Sequence, residues 1–482
     1  MVDVRPVAYL IGRMLIVLAI LMLAPAIIDH RAGLPNGAAF LESAFFTGGV
    51  GAFLALSTLN GLRSGLDIRQ AYLLTAAIWV GLPLFACLPF IIGAPGLNFT
   101  DAYFEAASGI TTTGSTVIVG LDSLPAGMNL WRGMLNWIGG LGIAFIAMIF
   151  LPIMRVGGMQ FFRTEGFDTF GKALPRATDI ARALLFVYAG LSIACIVTYL
   201  ALGMEPLDAV VNGFATIATG GFSPSDSSIG KYPGAAEYAG AFFMLCGSLP
   251  YVRYVQLVSG RRDALWGDPQ VRAIWLWCGV ATLILTAWRV ATSDQVFEPA
   301  LREALFNVSS ILTGTGFFSG SFPTWGSFAL AISFILGIIG GCSGSSSGAL
   351  TVFRVQIAAR AISAQVAVIN HPDRVISITY DGKPVEAEVL NALMLYISGY
   401  IVTIGVLSVA MTLVGVDIES ALFGIWTSIG NIGYGFGPMV METGTFRDFP
   451  DLAKWIMTFA MLLGRLGLLA IFVLVLPRFW QR

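Results

Sequence analysis

The chain has 482 residues, of which 56% are hydrophobic and only 11% are charged, and its formal net charge is −1 at pH 7. This composition leaves too little polar surface to cover a soluble globule of this length, so it predicts a polytopic membrane protein. The net charge near zero, without a basic run interleaved with aromatic residues, argues against nucleic-acid binding.

Residues that commonly build metal or nucleophilic sites are few and scattered. The five cysteines are odd in number and lie mostly inside apolar segments, at Cys87, Cys195, Cys246, Cys278 and Cys342. The two histidines, His30 and His371, are far apart in polar sequence. The pattern therefore predicts neither a disulfide framework nor a metal cluster, and it gives no support to an enzyme or a bound cofactor.

Apolar segments long enough to cross a bilayer recur along the chain and predict about ten crossings. They lie near 7–29, 44–60, 72–94, 130–154, 183–203, 237–259, 271–293, 326–366, 389–414 and 452–477. The first follows Arg5, as the apolar core of a signal peptide would, but it is long enough to span and a second span follows. We therefore expect it to be retained, in an all-α polytopic membrane protein.

The distribution of Lys and Arg tests this assignment, because positive residues concentrate in cytoplasmic loops. Most of them fall on one side of the predicted membrane, in loops such as 155–182, 260–272 and 367–388. The opposite side has only Arg31, Arg132, Lys231, Arg289, Arg302, Arg447 and Lys454, mixed with acidic residues. Both termini are thus predicted to be cytoplasmic, and the acids of the outer side are expected to concentrate cations there.

Four runs too short to cross the bilayer lie between crossings three and four, five and six, seven and eight, and nine and ten. Each reaches a glycine thirteen positions after an Asp, Glu or Ser, as Asp101 to Gly114, Asp208 to Gly221, Glu303 to Gly316 and Ser420 to Gly433. The chain then divides into two extra N-terminal spans (1–70) and four units of span, half-span, span at 71–155, 180–260, 270–366 and 388–482. The expected architecture has four re-entrant pore helices in a pseudo-fourfold arrangement.

Each half-span opens with a helix-entry signal, such as Thr100-Asp101 or Glu205-Pro206, and is expected to point its carboxyl end into the membrane. The chain then returns through a Gly-rich stretch, which we call a return loop. Return loops 1 to 4 are residues 111–115 (TTTGS), 218–222 (ATGGF), 313–317 (TGTGF) and 431–435 (NIGYG). Unpaired carbonyls are tolerated at this depth only where they line a wet cavity, and glycine permits the left-handed angles that turn successive carbonyls the same way.

The candidate ion-binding residues are three consecutive residues in each return loop. They are Thr112, Thr113, Gly114, Thr219, Gly220, Gly221, Gly314, Thr315, Gly316, Asn431, Ile432 and Gly433. Backbone oxygens from four such loops could replace the water shell of a monovalent cation. The alternative is that glycine and threonine only ease close helix packing, but four loops at one spacing favour the ion site.

The eighth apolar segment runs for about forty residues, and its middle is so rich in Gly and Ser that a continuous helix is not expected. We predict that it breaks inside the membrane beneath return loop 3, where the freed backbone groups need water or a partner, at Gly340, Gly341, Ser343, Gly344, Ser345, Ser346, Ser347 and Gly348. Arg465 is costly deep in the last span and is expected to face a cavity or a partner. The alternatives are a tight small-residue interface for the Gly/Ser stretch and, for Arg465, snorkelling to the headgroups.

The two extra spans, the four units and the loop sequences TTTGS, ATGGFS, TGTGF and NIGYG resemble the TrkH branch of the Trk/Ktr/HKT potassium transporter superfamily over nearly the whole chain. The resemblance implies a potassium filter marked by Gly114, Gly221, Gly316 and Gly433. Some sodium-selective plant members have serine at the first of these positions, so glycine at all four favours potassium. The resemblance also implies that the interrupted helix forms an intramembrane loop that closes the pore, with Arg465 beside it.

The same resemblance implies uptake of K⁺, as the transported ion, across a bacterial inner membrane. It further implies a homodimer docked on a cytosolic ring of TrkA-like nucleotide-binding subunits. The basic loops of this chain are too short for a ligand-binding domain of their own, which agrees with regulation by a separate protein. Two other classes stay open, a proton- or sodium-coupled secondary transporter with broken helices and a polytopic membrane enzyme, although the spans offer no relay of Asp, Glu and His and no clustered catalytic site.

Overall fold

The computed structural model describes residues 3–60, 68–149, 177–371, 377–441, 443–467 and residue 480. Most of the predicted loop at 155–182 and the last part of the predicted span at 452–477 lie outside these residues. Helices make up almost all the regular structure. They are α1 (Arg5–Arg31), α2 (Asn36–Ser57), α3 (Ile68–Ala86), α4 (Leu88–Ile92), α5 (Phe99–Ile110), α6 (Ala126–Ile149), α7 (Ala177–Ala201), α8 (Pro206–Ala218), α9 (Ala235–Gly247), α10 (Tyr251–Val258), α11 (Pro269–Thr292), α12 (Phe297–Thr313), α13 (Ser327–Ile339), α14 (Val352–Asn370), α15 (Ala387–Leu413), α16 (Ile418–Gly430), α17 (Pro438–Met441) and α18 (Asp451–Leu466).

Seven stretches of helix among the described residues are long and apolar enough to cross a membrane. They are α1, α2, the α3–α4 pair, α7, α11, α14 and α15. Large apolar side chains remain exposed on these helices, for example Phe45 at 85% and Leu413 at 84%. Such surfaces are expected to face lipid. The chain is therefore a multi-pass membrane protein, which confirms the prediction from composition.

The segment at 237–259, predicted as one crossing, is instead two helices, α9 and α10, bent by 90°. Helix α9 ends at Gly247, and Pro250 has no amide hydrogen to continue the helical hydrogen bonds. The groups freed by the bend bond to the Gly/Ser stretch: the Ser248 carbonyl accepts from the Cys342 amide and the Tyr251 amide donates to the Gly344 carbonyl, both at 3.0 Å. The segment predicted to cross at 237–259 is therefore broken near its middle, and the break anchors the next unit.

The predicted break in the eighth apolar segment is present. Helix α13 ends at Ile339 and α14 begins at Val352. Between them the backbone takes positive φ angles at Gly340 (75°) and Gly344 (82°), which glycine tolerates because it has no Cβ. The intervening residues are therefore an irregular loop that joins two helices.

A short antiparallel hairpin, β1 (Thr379–Tyr380) and β2 (Lys383–Pro384), adds a strand pair to the expected all-α fold. The Tyr380 ring packs edge-on against Phe353 of α14, with ring centroids 5.0 Å apart, and its hydroxyl donates to the Gln356 side chain at 2.7 Å. The hairpin thus lies on the helix that follows the irregular loop.

The apolar core is divided among clusters, and three of them include residues of the short helices α5, α8, α12 or α16. One cluster joins α1 and α2 to the first unit around Phe40 and Trp131. Others join the second and third units around Phe306 and surround the fourth unit at Ile425. The core therefore fixes the positions of the four short helices, whose carboxyl ends lead into the return loops.

Candidate ion-binding site

Three of the four short helices, α5, α8 and α16, begin with a residue that caps the first turn or lacks the amide hydrogen that would need a partner. The Asn98 side chain accepts from the Asp101 amide at the start of α5, and the Asp417 side chain accepts from the Ser420 amide at the start of α16, both at 2.9 Å. Helix α8 begins at Pro206, whose missing amide hydrogen costs nothing at this position. The negative poles of the four helices therefore lie at their carboxyl ends, next to the return loops.

The backbone follows the same course in all four return loops. The first residue with a left-handed conformation is Thr112, Thr219, Gly314 or Asn431, with φ of 50° to 70°. The next amide donates to a carbonyl in the preceding helix at 2.8 to 2.9 Å, from Thr113 to Ser108, Gly220 to Ala215, Thr315 to Ser310 and Ile432 to Thr427. The third residue is the glycine, again left-handed, with φ of 71° to 85°. Four different sequences thus form one repeated backbone structure.

The four glycines close into a ring. A Cβ placed on each glycine would collide with a carbonyl oxygen of the next loop: Gly114 with Gly220, Gly221 with Thr315, Gly316 with Ile432, and Gly433 with Thr113. Each of these oxygens belongs to the residue just before the next glycine, so the contacts run from loop 1 to 2, 3, 4 and back to 1. The ring leaves no room for a side chain at any of the four positions, and it gathers backbone oxygens from all four units.

Return loops 4 and 1 are joined by a side chain. The Asn431 amide nitrogen donates to the Thr113 hydroxyl at 2.9 Å and to the Met461 carbonyl of α18 at 3.0 Å. A second bond follows farther along, where the Phe446 amide donates to the Thr116 carbonyl at 2.9 Å. Asn431 therefore ties both loops to helix α18, which also carries Arg465.

Return loops 3 and 4 are joined mainly by aromatic residues. The Tyr434 hydroxyl donates to the Asn307 side chain of α12 at 3.1 Å, and its ring stacks on Phe436 with centroids 4.8 Å apart. Phe318 and Phe322 approach the same ring edge-on, each at 6.4 Å. This cluster is buried and apolar, so Tyr434 supplies a polar bond within an otherwise apolar contact.

Replacing Tyr434 with Phe is expected to lower the free energy of unfolding by about 1 kcal/mol, because a buried hydrogen bond is lost while the ring contacts remain. The denaturation midpoint of the detergent-purified protein, followed by intrinsic fluorescence, measures this. Tyr238→Phe is the control, since its hydroxyl bonds Glu298 on the surface at 3.1 Å. Equal midpoints for Tyr434→Phe and the wild type would contradict the assignment.

The two remaining pairs of loops are held by polar side chains. Between loops 2 and 3, the Ser228 hydroxyl accepts from the Phe318 amide at 3.3 Å. Between loops 1 and 2, the Asn136 side chain donates to the Gly109 carbonyl at 3.0 Å and accepts from the Phe222 amide at 3.1 Å. All four junctions of the ring are therefore bonded, each by different residues.

A cavity of about 530 Å³ lies on one side of the ring and is lined by all four glycines. Asp226 and Glu419 contribute carboxylates to its wall. Asp226 also accepts from the backbone amides of Gly120 and Leu121 at 3.0 to 3.1 Å, which fixes the loop that follows return loop 1. The cavity therefore reaches the ring from this side.

The irregular loop between α13 and α14 lies against the opposite side. The Ser346 hydroxyl accepts from the Thr219 hydroxyl at 3.1 Å and donates to the Gly247 carbonyl at 3.2 Å. A Cβ on Gly348 would collide with the Gly430 carbonyl at the end of α16. The Ser343 amide donates to the Gln270 side chain at 2.8 Å. The loop thus contacts the inner ends of several units at once.

Arg465 joins this irregular loop to return loop 1. Its guanidinium donates to the Thr111 carbonyl, to the hydroxyl and carbonyl of Thr112, and to the Ser346 carbonyl at 2.9 Å. The side chain is buried, and its partners among the described residues are carbonyls and a hydroxyl, without a carboxylate. A full positive charge therefore sits on the inner carbonyls of the ring.

The structure brings the predicted filter residues of the four loops together and places the predicted gate residues directly beside them. Sequence reasoning missed Asn136, Tyr434, and the buried pair Glu105 and Arg132. Arg132 was counted as an outer-loop residue, but it lies within α6 and is 1% exposed. The sequence did offer a signal for this ion pair, since Glu105 and Arg132 are charged residues of opposite sign within apolar sequence.

Comparison with known proteins agrees with this geometry. Residues 42–482 match the TrkH family, described as cation transport proteins. The Trk system potassium uptake protein TrkI of Halomonas elongata is 37% identical over 99% of this chain and 97% of its own length, and the Trk system potassium uptake protein TrkH of Escherichia coli K12 is 34% identical over 99% of both. The crystal structure of the potassium transporter TrkH from Vibrio parahaemolyticus superposes with a TM-score of 0.90 at 30% identity, covering 100% of both chains. The chain therefore belongs to the TrkH family of cation transport proteins.

Proposed function

We propose that this chain takes up potassium across a bacterial inner membrane, conducting K⁺ down its electrochemical gradient through the ring of return loops. The observation that carries the proposal is the closed ring in which the oxygens of Thr113, Gly220, Thr315 and Ile432 each lie against a glycine of the neighbouring loop. Carbonyl oxygens from four units replace the hydration shell of a dehydrated cation. The names of the relatives, which are potassium uptake proteins, support K⁺ as the ion.

In this proposal α5, α8, α12 and α16 are re-entrant pore helices, and about ten crossings surround them. Their carboxyl poles stabilise the cation in the ring, as half-helix termini do in other transporters. Residues 112–114, 219–221, 314–316 and 431–433 form the filter. The 530 Å³ cavity is then the outer vestibule, and Asp226 and Glu419 attract cations into it.

The irregular loop and Arg465 form the gate, which is closed in this conformation. Ser346 accepts from Thr219, and Arg465 donates to Thr111 and Thr112, so both elements engage the innermost filter residues. The guanidinium is bonded to the carbonyl oxygens that a cation would contact as it leaves the filter on the side of the irregular loop. Opening requires this loop to leave, and the proposal assigns that step to residues 340–348 and Arg465.

The assembly in the cell is also part of the proposal. The relatives are named as proteins of the Trk system, which supports a partner in trans. We assign the chain a homodimeric state, cytoplasmic termini and a cytosolic ring of TrkA-like nucleotide-binding subunits as its regulator. The protein acts as a transporter without covalent chemistry.

Rubidium uptake into proteoliposomes, with potassium, sodium and caesium as competitors, tests this function. We expect K⁺ to compete far better than Na⁺ in the wild type, and Gly316→Ser to lose rubidium uptake because the added side chain meets the Ile432 carbonyl. Equal competition by Na⁺ in the wild type would contradict potassium selectivity. An absolute requirement for a sodium or proton gradient would instead favour a coupled secondary transporter.

A further inference from the structure

A buried ion pair lies behind return loops 1 and 2. The Arg132 Nε of α6 donates to Glu105 Oε1 of α5 at 2.9 Å, and the two side chains are 1% and 0% exposed. A buried pair of this kind contributes little net stability, because desolvation offsets the attraction between the charges. Its position and its remaining bonds therefore have to explain what it does.

The Glu105 carboxylate holds the chain that follows Gly114. It accepts from the Thr116 hydroxyl at 2.9 and 3.0 Å and from the Val117 amide at 3.0 Å. These residues come two and three positions after the glycine, on the side of the vestibule. Glu105 therefore fixes the direction in which return loop 1 leaves the ring.

The Arg132 guanidinium extends this contact to return loop 2. Its Nη1 donates to the Ser223 carbonyl at 2.8 Å, two residues after Gly221. Its Nη2 donates to the Thr116 hydroxyl at 3.2 Å, and its Cζ lies 4.3 Å from the centroid of the Phe222 ring. A single planar group thus sets the distance between the two loops, which the point charge of a lysine cannot reproduce.

We infer that Glu105 and Arg132 are positioning residues that set the spacing of the carbonyls of return loops 1 and 2, and thereby the preference for K⁺ over Na⁺. The inference rests on the proposed function. Discrimination depends on how many carbonyl dipoles the backbone brings to the ion, so a loop that shifts outward lets the smaller ion compete. The pair is internally neutral, which makes its action geometric. The opposite junction, between loops 3 and 4, depends on Tyr434 and aromatic packing instead.

Two variants separate position from charge. Arg132→Lys keeps the positive charge beside Glu105 but cannot bond Ser223, Thr116 and Glu105 together. The double variant Glu105→Gln, Arg132→Met leaves no unpaired buried charge, and the new glutamine can still accept from the Val117 amide. Both variants therefore remove the hydrogen bond from residue 132 to the Ser223 carbonyl of the chain after return loop 2. If Arg132→Lys does not fold, the double variant still tests the inference.

The control is Lys454→Met. Lys454 pairs with Asp101 in the first turn of α5 at 2.6 Å, and this pair has no hydrogen bond to a return loop among the described residues. It removes an ion pair from the same short helix without touching the ring. We expect its K⁺ preference to match the wild type.

The measurement is the ratio of Na⁺ to K⁺ concentrations that halve rubidium uptake in proteoliposomes. We expect this ratio to fall about tenfold in both test variants, the size of effect expected for the loss of one coupled buried interaction. A second readout needs no flux: K⁺ should raise the denaturation midpoint of the wild type more than Na⁺ does, and this difference should shrink in both variants.

Wild-type ratios in both Arg132→Lys and the double variant would overturn the inference. A wild-type ratio in Arg132→Lys alone would also overturn it, because it would assign the effect to charge. If the wild type itself fails to prefer K⁺, the proposed function is what has failed, so the two failures are distinguishable.

Discussion

Replacing Arg465 with Ala is expected to raise rubidium uptake into proteoliposomes by about tenfold or more. The guanidinium is bound to the carbonyls of Thr111 and Thr112 at the inner end of the ring, and it also holds the gate loop through the Ser346 carbonyl. The substitution removes both the tether of the loop and the positive charge on the exit path. Uptake is measured from equal amounts of reconstituted protein.

The magnitude follows from electrostatics. Two unit charges about 4 Å apart repel by about 4 kcal/mol at an effective dielectric constant of about 20. A reduction of the barrier by only about one third of that energy already raises the rate about tenfold. Loss of the bond from Arg465 to the Ser346 carbonyl adds to this effect, whereas the bonds of Ser346 to Thr219 and Gly247 remain in the variant. The charge is therefore expected to dominate the closed state.

Arg465→Lys is the matched control, since it keeps the positive charge but makes fewer hydrogen bonds to return loop 1 and the irregular loop. Its uptake is expected to stay well below that of Arg465→Ala. Deleting residues 344–347 removes the loop but leaves Arg465 in place, and it should also raise uptake. Unchanged uptake in both Arg465→Ala and the deletion would rule out the gate.

The ring could be predicted from sequence because each of its contacts depends on a glycine. Only glycine fits at Gly114, Gly221, Gly316 and Gly433, because φ is left-handed there and a carbonyl oxygen of the next loop lies where a Cβ would be. The four glycines are therefore visible in the sequence at a fixed spacing. The residue two positions earlier is also left-handed but is Thr112, Thr219 or Asn431 in three of the loops. Their conformation is imposed by helix ends and neighbouring loops, which a local sequence does not reveal.

The contacts that join neighbouring loops of the ring could not be predicted from the sequence, for a different reason. Arg132 and Glu105 are 27 positions apart, and a hydropathy profile assigns a charged residue near a predicted boundary to the adjacent loop. The bend at Pro250 was also not predicted, because the whole segment still has the length and hydropathy of a single span. In both cases the tertiary partner decides the structure: Ser223 for the arginine, and the gate loop for the freed carbonyl of Ser248.

Alanine at any one of the four ring glycines is expected to reduce rubidium uptake to background. The new methyl group would collide with the carbonyl oxygen of the next loop, and that oxygen is one of those proposed to bind the ion. The adjacent loops must then move apart, which lowers the number of oxygens that reach the cation. Uptake and the K⁺-dependent rise of the denaturation midpoint are measured for each variant.

Gly203→Ala separates this effect from backbone strain. Gly203 has φ of +90° but no atom within 4 Å of a Cβ, so alanine there carries only the cost of a left-handed conformation, about 1 to 2 kcal/mol. Its uptake per folded protein should equal that of the wild type. If alanine at Gly433, which faces the Thr113 oxygen, behaves like alanine at Gly203, the collision is harmless and the ring does not bind the ion. Loss of uptake at all four ring positions, with uptake retained at Gly203, would instead show that the four loops act as one coordination shell, because each substitution disturbs a different junction.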